Sequence, residues 1–191
     1  MKKKIFLTGF RGAGKTTLGK ILAKKLNYEF VEMDELIVKK AKKSIAKITQ
    51  DGKDWFKFRL LEHNVLKEII KKEKIVVATG GGLFVNDVKF SKNLTFGEKN
   101  FNLVKKLPEK IIIFLKVKKE ILKERLKKEN EKYNKEWRPP LTGKKSSLEK
   151  EMEIYSQRLP LYEKRADFIL EISNQTPKEI LKKILSILKS N

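Results

Sequence analysis

A glycine-rich stretch near the amino terminus, GFRGAGKTT from Gly9 to Thr17, carries residue types that bind phosphate. It fits the pattern G-x-x-x-x-G-K-[ST], in which glycines let backbone N–H groups converge on phosphate oxygens. Lys15 is placed to reach the terminal phosphates of a nucleotide, and the Thr16 hydroxyl is placed to join the ligands of a Mg²⁺ ion. The motif predicts a nucleoside triphosphate site and leaves the phosphate acceptor unidentified. Its nucleotide-binding residues are Gly12, Ala13, Gly14, Lys15, Thr16 and Thr17.

Two acidic residues follow the next apolar run, in the stretch FVEMDELI. Glu32 and Asp34 stand where a predicted strand ends, and open α/β sheets bind their ligands at that edge. Carboxylates there suit a Mg²⁺ ion or the hydroxyl groups of a substrate. For Asp34 the alternative is a structural role, because an acid in the first turn of a helix also complements the helix dipole.

The stretch WFKFRLLEH places Arg59 and Glu62 on one face of a predicted helix, among large apolar side chains. A charge in so apolar a neighbourhood needs a partner, and Glu62 is spaced to orient Arg59. An arginine held in this way suits a substrate carboxylate, although an ordinary surface ion pair is the alternative. The adjacent His63 is the only histidine of the chain, and we interpret it as a packing or surface residue.

Three consecutive glycines, Gly80–Gly82, directly follow the β-branched run KIVVAT. A plain turn needs one glycine, whereas three in a row indicate that a bare backbone approaches a ligand closely.

Alternating apolar runs and amphipathic segments must position these residues. Nearly continuous apolar runs predict five strands, and helical periodicity predicts helices between them. This order indicates an α/β fold, a three-layer α/β/α domain with a five-stranded parallel sheet, spanning residues 1–191. The predicted strands are residues 4–9, 28–33, 74–79, 111–117 and 166–172. The predicted helices are 16–27, 34–43, 54–72, 119–130, 148–165 (at least up to Pro160) and 176–190, with a further short helix capped by Ser44.

The segment 83–110 is unusually long for a connection between two such elements. Its lysines and Phe90, Phe96 and Phe101 predict an extra surface helix, a contact with a partner or an altered substrate wall.

The chain has 191 residues, no cysteine and a formal net charge of +22. Disulfides and cysteine nucleophiles are therefore excluded. A net positive charge of this size is also found in nucleic-acid-binding proteins. However, the lysines are spread along predicted helices and do not alternate with aromatic residues, which indicates solvated helix faces.

Taken together, these features resemble the shikimate kinase family, and the resemblance covers nearly the whole chain. Two further stretches add to it: Arg138-Pro139 in EWRPPL resembles the arginine of the family's lid, and Arg158 in QRLPLYEKRADF resembles a later substrate arginine. The phosphate loop alone is not specific, but six features in the family's order are. The matching positions are Gly9–Thr17, Glu32 with Asp34, Arg59 with Glu62, Gly80–Gly82, Arg138 and Arg158.

The resemblance implies ATP-dependent phosphorylation of the 3-hydroxyl of shikimate, which gives shikimate 3-phosphate for aromatic amino-acid biosynthesis. It also implies the fold of the nucleoside monophosphate kinases, with a mobile lid over residues 131–146. The implied ligands are ATP, Mg²⁺ and shikimate. We expect a cytoplasmic monomer that binds neither nucleic acid nor a membrane.

The resemblance also assigns roles to individual residues. Asp34 would contact the ring hydroxyls and help to activate the attacking one, while Lys15 and Arg138 would neutralise the transferring phosphoryl group. Arg125 would pack on the adenine, and Arg138 would also contact the nucleotide. The implied substrate-binding residues are Asp34, Arg59, Gly80, Gly81, Gly82 and Arg158, and the implied metal ligands are Thr16 and Glu32.

Glu32 departs from the family pattern, which usually has aspartate at this position. Both direct contact and water-mediated contact with Mg²⁺ therefore stay open. Two other functions also stay open. The first is a related kinase that acts on a sugar acid or a nucleoside monophosphate. The second is a basic nucleotide-binding module, without this catalysis, that binds nucleic acid.

Overall fold

The structure is a computed structural model and describes residues 3–132, 139, 141 and 147–190. These residues form seven strands and eight helices. The strands are β1 (Lys4–Thr8), β2 (Glu29–Glu32), β3 (Ile75–Ala78), β4 (Lys89–Ser91), β5 (Leu94–Thr95), β6 (Lys110–Lys116) and β7 (Phe168–Glu171). The helices are α1 (Lys15–Leu26), α2 (Met33–Ala41), α3 (Ile45–Ile48), α4 (Phe56–Ile69), α5 (Phe96–Lys105), α6 (Lys119–Lys132), α7 (Leu148–Arg165) and α8 (Pro177–Ser190).

Five strands form one parallel sheet in the order β2-β3-β1-β6-β7. The central strand β1 pairs with both neighbours in register, since Lys4 lies opposite Ile75 on β3 and Lys110 on β6. All four residues of β3 are buried, because helices surround the sheet and leave its central strands no face for water. The predicted α/β fold with a five-stranded parallel sheet is confirmed.

Several helix ends follow signals in the sequence. Ser44 caps α3 by accepting a hydrogen bond from the Lys47 N–H at 3.3 Å, and Pro177 is the first residue of α8. Helix α7 continues through Pro160 to Arg165. Of the helices in the described ranges, none is long and apolar enough to span a membrane.

The long segment 83–110 folds into a turn, the antiparallel hairpin β4–β5 and helix α5. The helix begins with a capping box, in which the Thr95 side chain accepts from the Glu98 N–H and Glu98 binds the Thr95 N–H in return. Helix α5 packs against α4 and buries Phe96 and Asn100 completely. The extra helix is therefore present, but its inner face is part of the protein interior.

The predicted lid, residues 131–146, lies mostly outside the described residues, and so does Arg138. Pro139 and Leu141 are described, and both line the pocket presented below.

Candidate active site

The phosphate loop connects the carboxyl end of β1 to the first turn of α1. Gly12 and Gly14 adopt φ angles of 76° and 84°, in the left-handed region that favours glycine. Gly9 is constrained by space as well, because a Cβ there would lie 2.9 Å from the Leu115 carbonyl oxygen. The loop therefore turns back on itself directly before the helix, and the positive end of α1 adds to its attraction for phosphate.

Lys15 and Thr16 form the first turn of α1 and point their polar groups to different parts of the site. The Lys15 ammonium donates to the carbonyl oxygens of Gly9 and Phe10, both at 2.9 Å, so it lies across the phosphate loop. The Thr16 hydroxyl donates to Oε2 of Glu32 at 2.5 Å. Glu32 is the last residue of β2, so the neighbouring strand brings a carboxylate to the phosphate loop.

Thr16 and Glu32 together offer the hard oxygen ligands that Mg²⁺ prefers. Burial raises the pKa of Glu32, while the hydrogen bond from Thr16 lowers it. Among the residues that the structure describes, no group of three or more His, Asp or Glu side chains is arranged to hold a metal ion. Thr16 and Glu32 fit a Mg²⁺ ion beside a nucleotide, because such an ion usually takes its other ligands from phosphate and water.

Asp34 lies in the first turn of α2 and lines the same pocket as Lys15 and Thr16. Its Oδ1 atom is buried and has no hydrogen-bond partner in the protein. Because a buried carboxylate oxygen without a partner costs free energy, Asp34 is poised for a group that the protein does not supply.

Arg59 and Glu62 form a buried ion pair on α4, with 2.7 Å between Nη1 and Oε2. The Arg59 guanidinium also lies 5.0 Å from the ring centre of Trp55, which holds it by a cation–π contact. Burial raises the pKa of Glu62, and the charge of Arg59 lowers it. Nε of Arg59 and Oε1 of Glu62 have no partner in the protein, so this pair keeps hydrogen-bonding capacity.

The three glycines Gly80–Gly82 are required because there is no space for side chains, and not because of unusual backbone angles, since none of the three has a positive φ. A Cβ at Gly80 would lie 2.5 Å from Oε1 of Glu62, and one at Gly82 would lie 2.5 Å from Nη2 of Arg59. The bare backbone therefore leaves space for the buried ion pair as well as lining the pocket.

Arg158 extends from α7 into the same pocket as Arg59. Burial lowers the pKa of Arg158, and the nearby charge of Arg59 lowers it further. Two cations of like charge at one pocket favour an anionic ligand.

Most of the predicted residues, both those of the phosphate loop and those that follow it in the chain, line a single pocket. Its apolar walls include Ile45, Trp55, Phe58 and Leu141. The predicted residues that line it are Lys15, Thr16, Glu32, Asp34, Arg59, Gly80, Gly81, Gly82 and Arg158.

Arg125 does not line this pocket. It lies on α6, where its Nη2 is 3.5 Å from the Ser173 carbonyl oxygen. The same helix touches the phosphate loop, because Leu122 and Leu126 lie against the position of a Cβ on Gly12. The predicted contact of Arg125 with adenine is left untested by this arrangement, and Arg138 lies outside the described residues.

Sequence reasoning missed two residues that shape the site. Arg11, a variable position of the phosphate-loop motif, donates to Oε1 of Glu151 at 3.1 Å and to the Pro139 carbonyl at 3.2 Å. Tyr162 is buried, donates to the Gly81 carbonyl and has a pKa raised by burial to about 12. A charged residue inside a glycine loop was the available signal for Arg11, whereas Tyr162 looks like any core aromatic.

A parallel sheet with this phosphate loop at the end of its central strand, and with a cationic pocket beside it, defines a phosphotransferase of the P-loop class. A family model described as "Shikimate kinase" matches residues 11–189. The chain belongs to the shikimate kinase family.

Individual relatives agree with the family match. The chain is 35% identical over 184 residues to a shikimate kinase of Thermodesulfovibrio yellowstonii, covering 96% of this chain and 93% of that protein. It is also 35% identical over 189 residues to shikimate kinase 2 of Yersinia enterocolitica, covering 98% and 97% of the two chains. Among solved structures, shikimate kinase from Acinetobacter baumannii in complex with shikimate superimposes with a TM-score of 0.80, at 28% identity over 100% of this chain and 95% of that one.

Proposed function

We propose that the protein transfers the γ-phosphoryl group of ATP to the 3-hydroxyl of shikimate, giving shikimate 3-phosphate and ADP. One observation carries this proposal: a single pocket joins Lys15 and Thr16 of the phosphate loop to Asp34, Arg59 and Arg158. A phosphate donor site and a site for a small hydroxylated anion are therefore continuous.

The donor half binds ATP through the backbone amides of Gly12, Ala13 and Gly14 and through the side chains of Lys15, Thr16 and Thr17. Lys15 already lies across the loop, so its charge is close to where negative charge increases during transfer. We also propose that Arg125 contacts the adenine and that Arg138 neutralises the transferring phosphoryl group.

The acceptor half binds shikimate by its carboxylate and its hydroxyl groups. Arg59 and Arg158 bind the carboxylate, since a planar guanidinium matches its geometry. Asp34 accepts from a ring hydroxyl through its unpartnered Oδ1 and helps to remove the proton from the attacking oxygen. The backbone of Gly80–Gly82 closes the pocket on the side of Arg59.

Thr16 and Glu32 would hold a Mg²⁺ ion beside the phosphates. The ion supplies positive charge that offsets the charge of the phosphoryl oxygens. Most of the rate enhancement then comes from alignment of the two substrates and from fixed charges, because phosphoryl transfer asks for little covalent chemistry from the protein. A monomeric state and a cytoplasmic location are further predictions of this proposal.

The alternative functions have weaker support. Arg59 and Arg158 suit a small carboxylated ring better than a nucleobase, which argues against a nucleoside monophosphate acceptor. Surface lysines form ion pairs with acids, such as Lys40 with Glu68 and Lys72 with Glu29, and this agrees with solvated faces rather than a nucleic-acid groove.

The experiment that tests the proposal is a coupled assay of ATP consumption with Mg²⁺ and candidate acceptors. We expect ATP consumption to require shikimate and to be lost in Lys15→Ala. Lys24→Ala on the exposed face of the same helix is the matched control and is expected to keep full activity. Turnover with gluconate or a nucleoside monophosphate, and none with shikimate, would refute the proposed acceptor.

A further inference from the structure

Four consecutive backbone carbonyls, from Gly81 to Phe84, each accept a hydrogen bond from a side chain. Two of these side chains come from α7 and one from α5, so elements remote in sequence converge on the turn that follows β3. We call this turn, residues 80–86, the glycine turn. We call the four donors the carbonyl clamp. They are Tyr162 on Gly81, Asn86 on Gly82 at 2.8 Å, Asn100 on Leu83 at 3.1 Å and Arg165 on Phe84.

The carbonyl clamp supplements the turn's own hydrogen bonds. The N–H of Leu83 donates to the Gly80 carbonyl at 3.1 Å, and the N–H of Val85 donates to the Gly82 carbonyl at 3.1 Å. These local bonds define a turn, but they do not fix its position relative to the rest of the pocket. Bonds from α5 and α7 do fix that position, because both helices are anchored elsewhere in the core.

Asn100 also ties the glycine turn to α4. The Leu83 carbonyl can only accept, so the amide nitrogen of Asn100 must face it and the amide oxygen must face His63. That oxygen lies 2.7 Å from Nδ1 of His63, which must therefore carry the proton. His63 directly follows Glu62 in the chain, so a single fully buried amide joins the two walls that carry Glu62 and Gly82.

Such support matters because glycine restricts its own backbone less than any other residue. Gly80 and Gly82 lie against the Glu62 carboxylate and the Arg59 guanidinium with no room for a Cβ. A small displacement of the turn would therefore change where these two side chains present their free atoms to a ligand.

We propose that Tyr162 and Asn100 are positioning residues for the acceptor: they hold the glycine turn and α4 at the spacing that lets Arg59 and Gly80–Gly82 bind the substrate. The proposal rests on the proposed function in that shikimate is taken as the acceptor. It assigns a role to the long segment 83–110, which supplies Asn86 and Asn100.

The test compares Tyr162→Phe and Asn100→Leu with the unchanged protein. We expect each variant to raise the KM for shikimate roughly ten-fold, with the KM for ATP changed less than about two-fold, because Gly80 and Gly82 lie against Glu62 and Arg59, whereas of the three glycines Gly81 alone lies against the phosphate loop. Binding is measured independently by tryptophan fluorescence in a Trp137→Phe background, because the chain has two tryptophans and Trp55 is the one known to line the pocket. If Asn100→Leu does not fold, Tyr162→Phe carries the test, since it removes a single hydroxyl.

Two controls separate positioning from stability. Tyr155→Phe removes another buried hydroxyl of α7, which donates to the Val117 carbonyl at 2.6 Å, away from the glycine turn. Val104→Ala opens a cavity in the buried face of α5 without changing the carbonyl clamp. Both controls are expected to lower the unfolding temperature and to leave the KM for shikimate unchanged.

Two outcomes would each refute a different claim. An unchanged KM for shikimate in Tyr162→Phe, in a protein that phosphorylates shikimate, would overturn the positioning role. If the wild-type protein does not phosphorylate shikimate, the proposed function is overturned instead. In that case hydrogen exchange at Gly80–Phe84 decides on the carbonyl clamp: faster exchange in Tyr162→Phe than in Tyr155→Phe supports it, and equal rates reject it.

Discussion

The guanidinium of Arg59 and the carboxylate of Glu62 meet at 2.7 Å while their side chains are only 4% and 0% exposed. Burying two charges costs free energy that their attraction only partly offsets. An apolar pair would therefore serve stability at least as well. The pair is better explained by ligand binding, since Glu62 holds Arg59 at the pocket in one orientation.

The first prediction concerns the loss of Arg59. Arg59→Met should lower the free energy of unfolding by about 3 kcal/mol, because it leaves the buried Glu62 carboxylate without its counterion. Shikimate binding should also weaken, because one of the two arginines proposed to bind the substrate carboxylate is gone. Chemical denaturation measures the first effect, and titration followed by Trp fluorescence measures the second.

A double variant separates these two effects. Arg59→Met with Glu62→Gln removes both charges, so most of the stability should return while shikimate binding stays weak. Recovery of shikimate affinity in the double variant would contradict the role of Arg59 as a carboxylate ligand.

The second prediction concerns Gly82. A methyl group there would lie 2.5 Å from Nη2 of Arg59, so Gly82→Ala should displace the guanidinium and raise the KM for shikimate about ten-fold or more. The KM for ATP is the internal control. A larger effect on ATP than on shikimate would show that Gly82 belongs to the donor half.

The third prediction concerns Glu32 and pH. Burial raises its pKa above the ordinary value of 4.5, so the folded state holds the proton more tightly than the unfolded state. The resulting contribution to stability is present below pH 4.5 and is lost as the pH rises through the raised pKa. Glu32→Gln cannot ionise and should therefore unfold at a higher temperature than the unchanged protein at pH 8, but not at pH 4.

Scanning calorimetry without nucleotide measures this difference, and Glu35→Gln at an exposed position of α2 is the control.

The same Glu32→Gln variant should need roughly ten-fold more Mg²⁺ for half-maximal activity, because an amide is a weaker ligand than a carboxylate. An unchanged Mg²⁺ requirement would show that Glu32 does not act on the metal, directly or through water.

The fourth prediction concerns His63. Burial lowers its pKa below 6.5, and the hydrogen bond with Asn100 offsets part of this decrease. The unfolded state therefore takes up the proton more readily, and the free energy of unfolding should fall as the pH drops below about 6.5. Because the chain has one histidine, its NMR titration is unambiguous; a midpoint at or above 6.5 would contradict the prediction.

The amino-acid sequence predicted the parts of the molecule that depend on local pattern. Four of the five sheet strands are mainly apolar runs, and Lys15 lies in a motif whose spacing suits the phosphate that such loops bind. The pairing of Arg59 with Glu62 was also predictable, since residues three apart on a helix are neighbours.

Other features depend on contacts between distant residues and leave no local signal. Tyr162 and Gly81 are 81 positions apart, so nothing near either residue indicates their hydrogen bond. Asn100 reads as a surface residue of a polar helix, and only the packing of α5 on α4 buries it. The hairpin β4–β5 was missed because its strands have three and two residues, too few for a periodic pattern.

The arrangement of the site along the chain has a consequence for protein engineering. The phosphate loop lies between β1 and α1, whereas the proposed acceptor contacts other than Arg158 fall within residues 34–82. The two halves therefore come from separate stretches of the chain, and they meet where β1 and β3 end side by side, where Gly81 approaches the backbone of Arg11, and where Thr16 donates to Glu32. Grafting residues 34–62 from a kinase with another acceptor is therefore a rational route to a new substrate range without redesign of the nucleotide site.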